Sequence, residues 1–195
     1  MKKDNSNECF PRVDESGNVI GRISRGEAHN GSKLLHPVVH LHVFNRSKGL
    51  YLQKRPEWKD IQPGKWDTAV GGHIDYGEDV HHALLREARV ELDFTNFTPH
   101  HLFSYIFESD REREMINAFV TTTTLDSFAY DPEEVDDGKF WSLQEINDAI
   151  GKGIRKTLDG ESEGADQTGF YIAVFDVDRI VRPDMDAERD RVMTA

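Results

Sequence analysis

Apolar and polar positions fall into short blocks along this chain, and most blocks carry the two-residue period of a strand. Val38-Val39-His40-Leu41-His42-Val43-Phe44 predicts one strand, with His40 and His42 on the same side. Leu50-Tyr51-Leu52-Gln53-Lys54-Arg55 predicts another, joined to the first by the turn-rich Asn45-Arg46-Ser47-Lys48-Gly49. Upstream, Val13 to Ile20 reads as a hairpin turning at Gly17-Asn18, followed by a short helix near Arg25 to Asn30. Trp66 to Val70 predicts a strand that runs into Gly71-Gly72. Leu102 to Phe107 and Met115 to Thr123 predict a strand pair around the charged turn Asp110-Arg111-Glu112-Arg113, with the polar β-branched stretch Thr121 to Thr124 exposed. Lys139-Phe140-Trp141 is a further short strand.

The period becomes helical from Glu78 to Leu92, where Val80, Ala83, Leu84, Ala88 and Leu92 are the apolar positions. Ser142 with Glu145 has capping-box spacing, which predicts a helix through about Ile150. Residues 1–11 read as a flexible leader. Residues 156–195 carry ten acids against five bases and form an acidic extension, in which Phe170 to Val177 could add a strand and Pro183 to Ala195 a short helix. The domain proper is then 12–155.

Charge narrows the function. The formal charge of −12 disfavours a partner bound by neutralising phosphates on a basic face, so no nucleic acid is expected. Nor is an anionic membrane surface, and no apolar run approaches the roughly 20 residues of a bilayer span. One cysteine, Cys9, excludes an intrachain disulfide. No apolar stretch follows Lys2-Lys3, so the expected location is cytoplasmic. A small phosphorylated substrate remains open, because clustered carboxylates can hold the metal ions that hold phosphates.

Gly72-His73-Ile74-Asp75-Tyr76-Gly77-Glu78 leads into a helix carrying Arg86-Glu87 and Glu91. The i, i+4 spacing stacks Glu87 and Glu91 on one helical face. Stacked carboxylates repel unless a cation lies between them, and Mg²⁺ bound to a pyrophosphate suits such a site. Arg86 is placed to hold the loop carboxylate Glu78.

This pattern resembles the Nudix box: Gly72, Glu78, Arg86, Glu87, Ala88, Glu91 and Phe94 match in register, while Val90 and Asp93 replace a glutamate and a glycine. The resemblance implies an α/β (α+β) Nudix fold, a mixed β-sheet sandwiched between helices. It implies Mg²⁺ or Mn²⁺ held by Glu87 and Glu91, with Glu78, and a substrate passing over Gly72. The lost glutamate at Val90 removes one negative charge from that set.

Around and before the box, Val13-Asp14-Glu15, Gly17, Val19-Ile20-Gly21, His29, Leu35-His36, Pro63-Gly64-Lys65-Trp66 and Gly72-His73 are similar to type 1 isopentenyl diphosphate isomerase, itself a Nudix-fold family. That similarity covers about residues 12 to 150. It implies a divalent metal on His29, His36, His73, Glu112 and Glu114, and diphosphate contacts at Arg25, Arg55 and Lys59. The chain departs from the isomerases at the proton-transfer cysteine, where it has Gly71. It has no tryptophan after Trp141, and Glu87 stands where isomerases often have a basic residue.

The combined expectation is a metal-dependent hydrolase of a diphosphate bond in a nucleoside diphosphate derivative or similar small molecule. Glu91, Glu87 and Glu114 are the candidate catalytic groups, with Glu91, Glu114 or Glu112 as base. A residual isomerase and a non-catalytic ligand-binding module are the alternatives. Trp58 could stack on a base, and the state of association is left open between monomer and homodimer.

Overall fold

The computed structural model describes residues 4–150. The expectations for the acidic extension, including its strand and helix, lie outside the described residues.

Strands β1 (Cys9–Val13) and β2 (Val19–Ser24) form the expected hairpin. Its turn is set by Asp14, whose Oδ1 accepts from the backbone N–H groups of Ser16 and Asn18 at 2.9 Å each. Helix α1 (Arg25–Ala28) begins in a capping box between Ser24 and Glu27. The leader expectation needs correcting here. Cys9 to Pro11 belong to β1, and Phe10 is 1% exposed, packed against Ile23 and Ala28.

The main sheet has seven strands: β3 (Leu35–Asn45), β4 (Gly49–Lys54), β5 (Trp66–Asp67), β6 (Val70–His73), β7 (His100–Glu108), β8 (Arg113–Thr123) and β9 (Asp137–Trp141). Its path is β5-β4-β3-β8-β7, with β6 on β3 and β9 on β4. The β3–β8 pair is parallel and the others are antiparallel, so the sheet is mixed.

One edge of β3 serves two partners: Val38 to Leu41 pair with β6, and Val43 to Asn45 pair with β4. The single strand expected from Trp66 onward is therefore two strands. Thr68 Oγ1 donates to the carbonyl of Leu41 at 2.8 Å and holds the crossing between them. The threonine stretch also differs from expectation: Thr121 is buried, its hydroxyl donating to the carbonyl of Thr98, while Thr122 is exposed.

Helix α2 (Val80–Leu92) lies on one face of the sheet. Ala83, Leu84, Ala88 and Leu92 pack against Val39, Leu41, Val43 and Val70. Asp79 caps it, accepting from the N–H groups of His81 and His82. Asp93 ends it in the left-handed region at φ 49°, which explains why a glycine suits that box position and why aspartate is tolerated there. Helix α3 (Leu143–Ile150) starts in the expected Ser142–Glu145 capping box. It buries Ile146 on Leu50 and Leu52 of the opposite face. Helices thus cover both faces of a mixed sheet.

Candidate functional site

The two-residue period of β6 divides the site. Gly71 faces the histidine side: a Cβ there would meet His40 and Thr68 at 3.6 Å. Gly72 faces α2: a Cβ there would collide with the Glu87 carboxylate. Two clusters of chemistry-bearing groups therefore sit on opposite faces of a strand with no side chains at 71 and 72.

On the α2 face, Glu91 is 9% exposed. Its Oε2 accepts from Gln53 Nε2 at 3.0 Å and from the Gly71 N–H at 3.2 Å. Arg86 does what its spacing suggested. It grips Glu78 through Nε at 2.8 Å and Nη2 at 2.7 Å, reaches Glu87 at 2.6 Å, and donates to the His73 carbonyl at 2.9 Å. That grip lowers the Glu78 carboxyl below its usual range. Burial raises Glu87, with Arg86 opposing. Burial, then the Glu87 charge, raises Glu91 well above the carboxylate range. Val90 is 42% exposed, so the substituted box position lies at the surface.

On the other face, His36 on β3 and Glu114 on β8 are register partners, as are Val38 and His73. His29 enters from the end of α1. Its Nε2 lies 3.1 Å from His73 Nε2 and 3.6 Å from Glu112 Oε2. One ring nitrogen from each of His29, His36 and His73 lies within 4.8 Å of the others. His36 Nε2 is buried without a hydrogen-bond partner among the described residues, 4.0 Å from Glu114 Oε1. Burial lowers His36 to about 4 and, with Arg25 next, lowers His73 well below the usual range. Burial raises Glu112 and raises Glu114 well above its usual range, the neighbouring Glu112 charge adding to it.

Three imidazoles and two carboxylates brought together, with the His36 Nε2 lone pair unpartnered among the described residues, fit a divalent transition-metal ion. A buried carboxylate at Glu91 and a half-buried one at Glu87, one turn apart, fit Mg²⁺ or Mn²⁺.

The basic residues expected to contact a diphosphate are each matched by carboxylates of the chain. Arg55 Nη1 donates to Asp67 at 3.2 Å. Lys59 Nζ lies 2.8 Å from Glu134. Arg25 lies 3.5 Å from His73 Nδ1 and within 3.6 Å of Asp4, Glu8 and Asp60. Arg25, Arg55, Gly71, Gly72, His40, Glu112 and Glu114 are among the residues lining a cavity of about 50 Å³, room for an ion or a water.

Sequence reasoning missed Gln53, Asp60, Phe10 and Asp4. Asp60 Oδ2 lies 3.4 Å from His29 Nδ1, the place of a carboxylate that orients a ligating histidine. Phe10 stacks on His73 with centroids 4.1 Å apart. Only Gln53 left a signal, as a polar residue following the apolar run Leu50 to Leu52. It is 3% exposed.

Residues 34–159 match the NUDIX domain model. An isopentenyl-diphosphate Delta-isomerase of Photorhabdus laumondii is 28% identical over 71% of this chain and 81% of its own length. An uncharacterized Nudix hydrolase of Yersinia pestis is 32% identical over 69% of this chain and 72% of its own length. A crystal structure from Deinococcus radiodurans shares the fold, with a TM-score of 0.64 at 21% identity, covering 90% of this chain and 98% of that one.

Proposed function

We propose that this chain, which belongs to the NUDIX family, is a metal-dependent hydrolase of a diphosphate bond in a nucleoside diphosphate derivative or a similar small molecule. The observation that carries this reading is the buried Glu91 with the half-buried Glu87 one turn away, beside Gly71 and Gly72. Burial raises both carboxyls, and the Glu87 charge raises Glu91 further, a cost that a bound divalent cation would reverse.

Glu87 and Glu91, with Glu78, would hold Mg²⁺ or Mn²⁺, and His29, His36, His73, Glu112 and Glu114 a second divalent ion. The bound metal supplies charge neutralisation at the diphosphate and polarisation of phosphorus. The chain's own groups do the rest. Gln53 and the Gly71 N–H fix one oxygen of Glu91, leaving Oε1 to take the proton of the attacking water. Arg86 fixes Glu78 and Glu87 against the loop. Arg25, Arg55 and Lys59 exchange carboxylate partners for diphosphate oxygens. Glu114 is the second candidate base.

A phosphate-release screen tests this. Nucleoside diphosphate derivatives and isopentenyl diphosphate are offered with Mg²⁺ or Mn²⁺, beside a Glu91→Gln control. Metal-dependent turnover lost in the control is expected. Tight ligand binding without turnover would make the chain a binding module instead.

The histidine–glutamate cluster favours a second reading, an isomerase-like enzyme. It lacks a thiol at Gly71, so incorporation of labelled protons into isopentenyl diphosphate would be required to sustain it.

A further inference from the structure

The segment from Asp4 to Glu8 is docked beside the site. Arg25 N–H donates to the Glu8 carbonyl at 2.8 Å, and Gly26 N–H donates to the Ser6 carbonyl at 3.1 Å. These backbone bonds deliver Asp4 to a place of its own. Its Oδ1 lies 3.3 Å from Arg25 Nη2 and 3.7 Å from Lys59 Nζ, and its Oδ2 accepts from the Asp60 N–H at 3.2 Å. The Asp4 side chain is only 10% exposed. Two cations and a backbone N–H therefore converge on one carboxylate, the donor set that a pair of phosphate oxygens would take.

Arg25 has donor capacity to spare, since its Nε is buried without a hydrogen-bond partner among the described residues. Lys59 also holds Glu134, its Nζ 2.8 Å from that carboxylate, so it has a second partner besides Asp4. Asp4 stands at the far end of the docked segment, beyond the bonds made by Ser6 and Glu8. Neither backbone bond involves the Asp4 carboxylate, so neither depends on its seat.

We propose that Asp4 is a built-in competitor: a strap residue whose carboxylate occupies the anion subsite of Arg25, Lys59 and the Asp60 N–H until a phosphorylated ligand displaces it. This rests on the part of the functional reading that makes Arg25 and Lys59 diphosphate contacts. The strap lowers the apparent affinity for anionic ligands by the fraction of molecules in which Asp4 is seated. It also selects for charge, because a diphosphate offers the same donors more negative charge than one carboxylate.

The test uses the full chain with inorganic pyrophosphate as probe, in calorimetric titrations with and without Mg²⁺. Asp4→Asn and Asp4→Ala are each expected to bind pyrophosphate about tenfold tighter than the unaltered chain. Where a substrate has been found, KM falls by a similar factor while kcat stays within about twofold. Glu15→Gln, a change of the same charge at a carboxylate paired with Arg113 and not with Arg25 or Lys59, should change binding far less. Unchanged or weaker binding in both Asp4 variants overturns the proposal, as does failure of pyrophosphate to bind any of the proteins. The two readings separate cleanly. Tighter binding in the Asp4 variants with no turnover on any diphosphate keeps the strap and rejects the hydrolase. Turnover with unaltered pyrophosphate affinity in those variants does the reverse.

Discussion

Glu87 fills the space that a side chain at Gly72 would need. The box glycine is thus a steric vacancy filled by the Glu87 carboxylate on α2. A methyl group at 72 would push the end of a flexible side chain, not the backbone. Gly72→Ala should therefore fold with little loss of stability and move Glu87 off the site. Turnover is expected to fall about 10- to 100-fold, measured beside thermal unfolding. Undiminished activity would show that the close approach is incidental.

Glu91 should be a residue that the fold tolerates and the chemistry requires. Its carboxyl is buried against Glu87, so Glu91→Gln removes a repelling group while keeping shape and hydrogen bonding to Gln53. Metal-free stability should stay level or rise by about 1 kcal/mol. Activity should fall by at least about 10²-fold. Parallel loss of both would mean that Glu91 is structural.

Metal binding to the histidine cluster should be visible in stability alone. Mn²⁺ or Zn²⁺ at about a hundred times its dissociation constant should stabilise the chain by about 2.7 kcal/mol. His36→Gln should abolish that shift, since His36 Nε2 is the buried nitrogen left without a partner. A shift that survives in His36→Gln would place the ion elsewhere.

Acid should destabilise the fold through His42. Burial lowers this imidazole from 6.5 to about 3, so the folded state refuses a proton that the unfolded chain accepts. Stability is complete above pH 6.5 and declines as pH falls toward 3, at about 1.4 kcal/mol per unit for this one group. His40, lowered to about 4, acts in the same direction, while the raised carboxyl of Asp67 opposes both. Unfolding midpoints of His42→Gln should therefore change less between pH 7 and pH 5 than those of the unaltered chain. Equal slopes would show that His42 is not the group responsible.

Gly71 can accept a side chain. A Cβ there makes only ordinary contacts, the nearest at 3.6 Å. Gly71→Cys should fold within about 1 kcal/mol of the parent. If the histidine–glutamate cluster retains isomerase chemistry, proton exchange into isopentenyl diphosphate should rise in this variant. No exchange would leave the cluster to another role.

The helix of the box, the Ser142–Glu145 capping box, the central strands and the register of Gly72, Glu78, Arg86, Glu87 and Glu91 were legible in the sequence. Each depends on spacing within a few residues, where the periods 2 and 3.6 decide which side chains share a face. The ion pair of Arg86 with Glu78 was legible for the same reason. The three histidines could be chosen only by resemblance, because nothing local to His29 says that it will meet His73.

Tertiary structure decided the rest. It split the strand after Trp66 in two, because one edge of β3 serves both β4 and β6. It set the carboxylate and histidine clusters on opposite faces of β6. It seated Asp4 on Lys59, Phe10 on His73 and Gln53 on Glu91, contacts between residues far apart in the chain. Local period carries no information about such meetings. They exist because burying the two faces of the sheet leaves each of these side chains one place where its charge, ring or amide is matched.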